Sequence, residues 1–227
     1  MADFGKAPNG EVVKKFKLTN SNGLSMEVIN YGAIITNLYV PDSSGSFKDV
    51  VLGFNDFNNY YENNPYFGAI IGRYGNRISN GTFLLDGVKY ELEQNNGPNS
   101  LHGGLVGFDK VFWKFIEEKS NNQSLYFEYC SKDMEEGFPG NLVVGVEYIL
   151  NNSNELKIKY SASTDKKTII NLTQHSYFNL SGESSGDILD HILNIDAEYY
   201  LPVNENMIPH GPYEKVEFTP FDFNIPK

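Results

Sequence analysis

Histidine is the side chain best suited to acid–base chemistry near neutral pH, and this sequence holds four of them. His175 follows a β-type run in the segment 168–182, TIINLTQHSYFNLSG. A neutral imidazole can donate or accept a proton, which makes His175 a candidate acid–base group. Two interpretations stay open for the neighbouring Tyr177 and Phe178: they stack on an apolar ligand face, or they fill the core.

A second histidine, His102, lies in the loop-like segment 95–109, NNGPNSLHGGLVGFD. A lone histidine is usually a structural hydrogen-bonding group. One that is followed by two glycines in a long loop is more often accessible to a ligand. His102 is therefore a second candidate site residue.

Hydrogen-bond donors are interleaved with glycines in the segment 67–80, FGAIIGRYGNRISN. Glycines permit close approach of the backbone to a ligand. The forked donors of Arg73, Asn76 and Arg77 suit hydroxyls and carboxylates. A surface turn with two solvated arginines is the alternative, and the residues alone leave both interpretations open.

Two other chemistries are less well supported. The histidines at 102, 175, 191 and 210 form no HxxxH pair and Cys130 stands alone, so we predict no metal site. The segment 182–186, GESSG, matches the G-x-S-x-G nucleophile elbow and would make Ser184 the nucleophile of a hydrolase. That elbow belongs to a parallel sheet flanked by long helices, and the sequence shows no such alternation.

Strands are predicted to position these residues, because short alternating runs rich in β-branched and aromatic residues recur at 12–18, 125–130, 143–150 and 156–161. Asp86-Gly87 separates the runs 82–85 and 88–92 and predicts a hairpin with a type I′ turn. Strands at this spacing favour an all-β sandwich or barrel. The best helix candidate is 187–193.

Composition limits the function classes. The chain has 227 residues, 40% of them hydrophobic, with a formal net charge of −11 that disfavours nucleic acid as a partner. Neither a linker nor a shift in composition divides the chain, so we expect one domain over residues 1–227. No apolar run could span a membrane, the N-terminus lacks the apolar core of a signal peptide, and a single cysteine fits a reducing compartment. A cytoplasmic protein is expected.

In chain order, several segments resemble the galactose mutarotase (aldose 1-epimerase) family. The matching segments are NYGAIITNLYVPD (30–42), DVVLGFNDFNNY (49–60), FGAIIGRYGNRISNGTF (67–83), NSLHGGLVGFDKVFW (99–113), TIINLTQHSYFNLSG (168–182) and YLPVNENMIPHG (200–211). LHGG and QHSYFNLSG, preceded by GNRI, form a specific combination. The resemblance implies a large antiparallel β-sandwich of the galactose-mutarotase type, in agreement with the strand pattern.

The activity that this resemblance implies is interconversion of the α and β anomers of hexopyranoses such as galactose and glucose, with neither a metal nor an organic cofactor. An acid at the ring oxygen and a base at the C1 oxygen open the ring, C1 rotates, and the ring recloses. By resemblance, His175 is the catalytic proton donor. The substrate-binding residues implied are Asn76, Arg77, His102, Ser176 and Tyr177. The oligomeric state stays open.

The chain departs from the family in its C-terminal part. The glutamate that serves as the family's general base lies in a segment that would follow the final residues here, FTPFDFNIPK. We therefore expect a sandwich truncated at the C-terminus and an enzyme that is weakly active or inactive as this chain alone. The alternative is a non-catalytic sugar-binding or regulatory protein on the mutarotase scaffold. The missing glutamate favours it, and the pair His175 and His102 weakens it.

Overall fold

β-Strands supply most of the regular structure in a computed structural model, which describes the backbone of residues 1–227 and every side chain except that at position 63. The strands are, in chain order, β1 (Ala2–Lys6), β2 (Val12–Thr19), β3 (Ser25–Ile29), β4 (Ile35–Pro41), β5 (Phe47–Asp49), β6 (Ile70–Ile71), β7 (Arg77–Ile78), β8 (Thr82–Leu85), β9 (Val88–Glu91), β10 (Ser100–Leu101), β11 (Lys114–Phe115), β12 (Ser124–Ser131), β13 (Leu142–Leu150), β14 (Leu156–Thr164), β15 (Thr173–Gln174), β16 (Tyr199–Tyr200) and β17 (Glu214–Lys215). The helical segments are α1 (Phe57–Asn63) and the short 3₁₀ turns Ser79–Gly81, Phe108–Lys110, Glu117–Lys119 and Glu135–Gly137.

Two antiparallel sheets form the framework. The first has the order β1-β2-β3-β4-β5 and the second the order β11-β12-β13-β14, so neighbours in sequence are neighbours in each sheet. The four alternating runs of the sequence become β2, β12, β13 and β14, and the all-β prediction is confirmed. The predicted hairpin is confirmed as β8 and β9. Its turn residues Asp86 and Gly87 have φ values of 51° and 80°, as a type I′ turn requires.

The main hydrophobic core lies between the two sheets, because alternate residues of facing strands point inward. Phe16 of β2 packs edge-to-face on Phe127 of β12, with ring centroids 5.2 Å apart. On β13, Val144, Val146 and Tyr148 are all buried in the same cluster. This packing makes the framework a sandwich rather than a barrel.

A second buried cluster lies under the loops that follow the first sheet. The helix α1 contributes Phe57 and Tyr60 to it, and the Asp56 carboxylate caps the helix by accepting a hydrogen bond from the Asn59 N–H at 3.2 Å. Tyr66 and Phe67 pack against this cluster from the loop side. The cluster thus supports the loop that leads into β6.

The prediction of a helix at 187–193 is wrong, because these residues form a turn and irregular chain. Leu189 and Ile192 are 84% and 80% exposed, so these apolar side chains do not pack against another part of the chain. A seven-residue helix is unstable without such packing. The helix that does form, α1, was not predicted. Among the described residues, no helix has the length and apolar character needed to cross a bilayer.

Candidate functional site

A two-residue strand pair places His175. β15 pairs with β6, opposing Gln174 to Ile70, and the pairing continues one residue further, where the His175 N–H donates to the Ala69 carbonyl at 2.9 Å. The Gly68 N–H donates back to the His175 carbonyl at 3.3 Å. These bonds fix the backbone of His175 beside the loop that enters β6.

A second short pair, β7 with β10, places His102 and Arg77. Leu101 lies opposite Arg77, so His102 falls beside Asn76. The His102 N–H donates to the Asn76 carbonyl at 3.0 Å, and the Asn76 N–H donates to Nδ1 of His102 at 2.9 Å. The segments 67–80 and 95–109, which the sequence singled out separately, therefore meet at these residues.

His102 is a neutral hydrogen-bond donor in this arrangement. Burial, and after it the nearby His175, Arg77 and Lys110, together lower its pKa from 6.5 to about 4. Because Nδ1 accepts the Asn76 N–H, the remaining ring proton is on Nε2. His102 can therefore offer one N–H to a ligand and cannot serve as a cationic acid near neutral pH.

The two imidazoles lie close together, with ring centroids 5.3 Å apart. Tyr66 contacts both, at 4.7 Å from the ring of His102 and 5.5 Å from that of His175. Sequence reasoning missed Tyr66, which carries no chemical signature beyond its place in the Tyr-Phe-Gly of the segment before β6. Burial raises the pKa of the Tyr66 hydroxyl, so Tyr66 is a neutral partner of both rings.

Three non-glycine residues at this point have left-handed backbone conformations. The φ values are 67° for Tyr66, 65° for Asn76 and 55° for His102. Such conformations are uncommon for residues with a Cβ and concentrate where the surrounding structure holds a functional geometry. Their coincidence around one pair of imidazoles marks this surface as a candidate site.

Arg77 is oriented by two amide oxygens. Its Nε–H donates to Oδ1 of Asn96 at 2.9 Å, and Nη1 donates to Oδ1 of Asn76 at 3.2 Å. The two bonds fix the plane of the guanidinium, which is half-buried next to the strand pair β7–β10. A fixed guanidinium with further N–H groups can bind hydroxyls in one orientation.

The two residues after His175 are held by different contacts. Ser176 is held by Gln174, whose Oε1 accepts the Ser176 N–H at 2.9 Å and whose Nε2 donates to Ser176 Oγ at 2.7 Å. Tyr177 is 43% exposed, with its ring centroid 5.1 Å from that of His175. Tyr177 is thus an accessible ring beside the histidine. Its neighbour Phe178 is also half exposed, so neither ring fills the core.

Arg73, although it lies in the same glycine-rich segment, is not part of this surface. It is 2% exposed, and its guanidinium donates to Ser131 Oγ and to the carbonyls of Lys132 and Pro139, at 2.9, 2.7 and 2.9 Å. These bonds tie the loop before β7 to the connection between β12 and β13. Arg73 therefore supports the site from inside, and the solvated turn that the sequence left open does not apply to it.

The Gly182–Gly186 segment does not form a nucleophile elbow. It lies in turns and bends, with irregular chain after it instead of a helix. Nε2 of His191, a histidine downstream of Ser184, accepts the Leu180 N–H at 2.9 Å. Within the described side chains, no three His, Cys, Asp or Glu residues cluster as metal ligands would.

A family model described as aldose 1-epimerase matches residues 14–227. The chain belongs to the aldose 1-epimerase family. The family predicted from the segments around His102 and His175 is thereby confirmed.

Two curated relatives of this aldose 1-epimerase family member show the extent of the match. Galactose mutarotase of Sus scrofa is 47% identical over 224 residues, which cover 98% of this chain and 64% of that protein. Aldose 1-epimerase of Escherichia coli K12 is 39% identical over 221 residues, covering 97% of this chain and 63% of that protein. The chain thus spans just under two thirds of the length of these relatives.

Solved structures agree on the fold. The aldose epimerase homologue from C. elegans superimposes with a TM-score of 0.89 at 31% identity, over 95% of this chain and 65% of that one. Galactose 1-epimerase from Lactobacillus acidophilus NCFM gives a TM-score of 0.86 at 29% identity, over 100% of this chain and 65% of that one. The predicted mutarotase-type β-sandwich is confirmed.

Proposed function

We propose that this chain binds a hexopyranose, such as galactose or glucose, at the surface formed by Tyr66, His102 and His175, and that it takes part in interconverting the α and β anomers. The observation that carries the proposal is the meeting of two imidazoles, 5.3 Å apart, beside an oriented Arg77. Membership of the aldose 1-epimerase family supports the reaction class.

His175 is proposed as the proton donor to the ring oxygen of the sugar. A well-placed group of this kind typically accelerates a reaction by about 10²–10⁴-fold. His102 is proposed to bind a sugar hydroxyl through its Nε2–H, because it is neutral and its Nδ1 is occupied. The two histidines thus have different roles, one transferring a proton and the other holding the substrate.

The remaining side chains are proposed to hold the sugar ring while C1 rotates. Arg77 and Asn76 offer donors to hydroxyls on one side. Ser176 accepts a hydrogen bond from Gln174, so its own proton can be donated to the sugar. The exposed ring of Tyr177 can cover an apolar sugar face.

Ring opening also needs a base at the C1 oxygen, and we assign that role to none of residues 1–227. Sugar binding is therefore measured together with turnover. No cofactor is proposed. The cytoplasm stays the proposed location, because a single cysteine is typical of a reducing compartment.

Polarimetry on freshly dissolved α-D-galactose and α-D-glucose, with calorimetric titration of galactose, tests the proposal. We expect the wild-type chain to bind galactose and, because none of residues 1–227 is assigned as the base, to accelerate mutarotation only weakly over buffer. His175→Asn should lose that weak acceleration. His191→Gln is the matched control, because the glutamine can still accept the Leu180 N–H. Binding without acceleration would support the non-catalytic alternative, and absence of both would refute the proposed function.

A further inference from the structure

A five-residue turn rich in side-chain amides forms hydrogen bonds both to the segment 67–80 and to the backbone around His102. We call residues 95–99, Asn-Asn-Gly-Pro-Asn, the amide turn. Its backbone is closed on itself, because the Asn96 N–H donates to the Asn99 carbonyl and the Asn99 N–H donates to the Asn96 carbonyl, both at 3.1 Å. Gly97 at its tip has a φ of 58°, a conformation that glycine adopts without strain.

Asn95 brackets the backbone of His102. Its Oδ1 accepts the Leu101 N–H at 2.7 Å, and its Nδ2 donates to the carbonyls of Leu101 and Gly104 at 3.0 and 2.8 Å. Both ends of the side-chain amide are therefore used, on the residues before and after His102. Since His102 has a positive φ, these bonds hold a conformation that the loop alone would rarely adopt.

Asn96 acts on the other side of the site. Its Oδ1 accepts the Nε–H of Arg77 at 2.9 Å. A bond at Nε fixes the direction of the whole planar guanidinium, since Nε is the point where the fork joins the side-chain stem. In contrast to Asn95, this contact uses only the oxygen end of the amide.

Asn99 anchors the amide turn to the rest of the molecule. It is 2% exposed, its Oδ1 accepts the Asn80 N–H at 3.1 Å, and its Nδ2 donates to the Asn206 carbonyl at 3.3 Å. The turn is therefore held between the loop after β7 and the segment before β17. Because Asn99 anchors the turn, Asn95 and Asn96 are held in fixed positions as well.

We propose that Asn95 and Asn96 are positioning residues for sugar recognition, Asn95 by holding the His102 loop and Asn96 by holding the Arg77 guanidinium. The proposal rests on the proposed function, since it concerns the same sugar site. Neither residue needs to touch the substrate, because each acts through the group that it holds. One turn thereby sets the relative placement of two site residues that lie in or directly after the two strands of the pair β7–β10.

The same substitution at two adjacent positions tests the proposal. Asn96→Asp keeps the acceptor oxygen, so the bond to Arg77 Nε survives with a charge added to it. Asn95→Asp removes the donor end and aims a carboxylate at two carbonyl oxygens. We expect Asn96→Asp to keep most of the galactose affinity, and Asn95→Asp and Asn96→Leu to weaken it about tenfold, as loss of a hydrogen bond to a charged or constrained group allows.

Two readouts separate this proposal from the proposed function. Calorimetric titration with galactose measures affinity, and ¹⁵N-resolved NMR measures solvent exchange of the Arg77 Nε–H and of the Leu101 amide. In the wild type and Asn96→Asp the Nε–H is protected, and in Asn96→Leu it exchanges freely, whereas Asn95→Asp exposes the Leu101 amide. Asn121→Asp, in an exposed turn where Oδ1 accepts the Gln123 N–H, is the matched control.

Unchanged exchange of the Arg77 Nε–H in Asn96→Leu and of the Leu101 amide in Asn95→Asp would overturn the proposal, and so would altered exchange with unchanged galactose affinity in both variants. If the wild-type chain binds no sugar, the proposed function fails on its own. The exchange data then still decide whether the two asparagines hold Arg77 and the His102 loop.

Discussion

Two regions of the molecule differ in how they are packed. The packed region, residues 1–155, contributes every buried residue of the two hydrophobic clusters. In the outer region, residues 156–227, the described buried residues are Asn179, Gly182 and Val216. Large apolar side chains there face solvent, for example Leu189 at 84% and Phe218 at 95% exposure. Because hydrophobic stabilisation scales with buried apolar area, the packed region carries nearly all of it.

The outer region is held near the site mainly by hydrogen bonds to the packed region. Backbone pairs join His175 to Gly68 and Ala69, the Leu52 N–H donates to the Tyr177 carbonyl at 2.9 Å, and the Asn179 N–H donates to the Val50 carbonyl at 2.9 Å. These contacts continue from the short pair β6–β15. The segment 173–179 is thus docked on the sandwich edge without being part of its core.

The candidate site lies on the boundary between the two regions. His102, Arg77 and Tyr66 belong to the packed region, and His175, Ser176 and Tyr177 belong to the outer region. The distance between the two imidazoles therefore depends on how firmly segment 173–179 is docked. In physical terms, Tyr66 on the proposed substrate-binding side packs against the second buried cluster, whereas the proposed acid is placed by a few polar contacts.

The largest difference between the regions is expected from truncating apolar side chains. Phe127, which is fully buried, packs on Phe16, and Phe127→Ala should lower the free energy of unfolding by about 3–5 kcal/mol. Leu189→Ala is the matched control in the outer region and should change it by less than about 0.5 kcal/mol. Urea unfolding followed by tryptophan fluorescence measures both. Similar losses in the two variants would contradict the division into regions.

A slightly smaller loss of unfolding free energy is expected from Arg73→Met. This variant tests whether the packed region depends on the buried charge of the Arg73 guanidinium. The variant leaves Ser131 and two carbonyls without their donor, and breaking such a buried network costs about 3 kcal/mol. Burial also lowers the pKa of this guanidinium, as expected for a charge removed from water. Lys157→Met removes an exposed ion pair with Glu155 and should leave the urea midpoint nearly unchanged in the same experiment. Equal effects of the two variants would show that Arg73 is dispensable.

The sequence predicted features whose cause is local. The β8–β9 hairpin follows from Asp86-Gly87, because the turn requires positive φ at both residues. The inward alternation of β13 likewise follows from a period of two in its own residues. Helix 187–193 was mispredicted because apolar spacing alone does not show whether a packing partner exists.

The site could be predicted only in part. The resemblance pointed to the segments of His102 and His175, but β15 and β6 are two-residue strands about one hundred residues apart, and no local pattern indicates their pairing. Tyr66 was missed because an aromatic residue in a turn has many possible roles. Asn95 and Asn96 were seen only as loop residues, since their function depends on contacts with Leu101 and Arg77 that sequence spacing does not reveal.

A moderate effect, confined to one region, is expected from Gln174→Ala. Gln174 bonds Gly68 and both the N–H and the Oγ of Ser176, so its loss should make local opening of segment 173–179 about 1 kcal/mol easier. Hydrogen exchange at the amides of Gly68 and His175 should then be roughly fivefold faster, with exchange in β13 unchanged. Gln123→Ala is the control in the packed region, because Gln123 is bonded there through its backbone. Faster exchange in β13 as well would mean that the two regions open together.

The smallest effect is the pH dependence contributed by His102. Its pKa of about 4 in the folded chain lies below the ordinary 6.5, so the unfolded chain takes up a proton first as the pH falls. Stability is therefore lost between about pH 6.5 and pH 4. Because His102 is only half-buried, solvent screening reduces the size of this loss. His102→Asn should weaken the dependence, since the asparagine oxygen can accept the Asn76 N–H and carries no titrating proton.

Urea midpoints for the wild type and His102→Asn, measured at intervals from pH 7 to pH 4, check this prediction through their difference. Burial raises the pKa of Asp109, which acts with the opposite sign, since the folded chain then binds that proton more tightly. This contribution is present in both proteins and largely cancels in the difference. Parallel pH curves would show that His102 titrates normally in the folded chain. The part of the packed region that carries His102 would then be accessible to protonation from solvent. Curves that converge at low pH would show that the folded chain shields His102 from protonation. His102 would then belong to the packed region, and the boundary between the two regions would lie between His102 and His175.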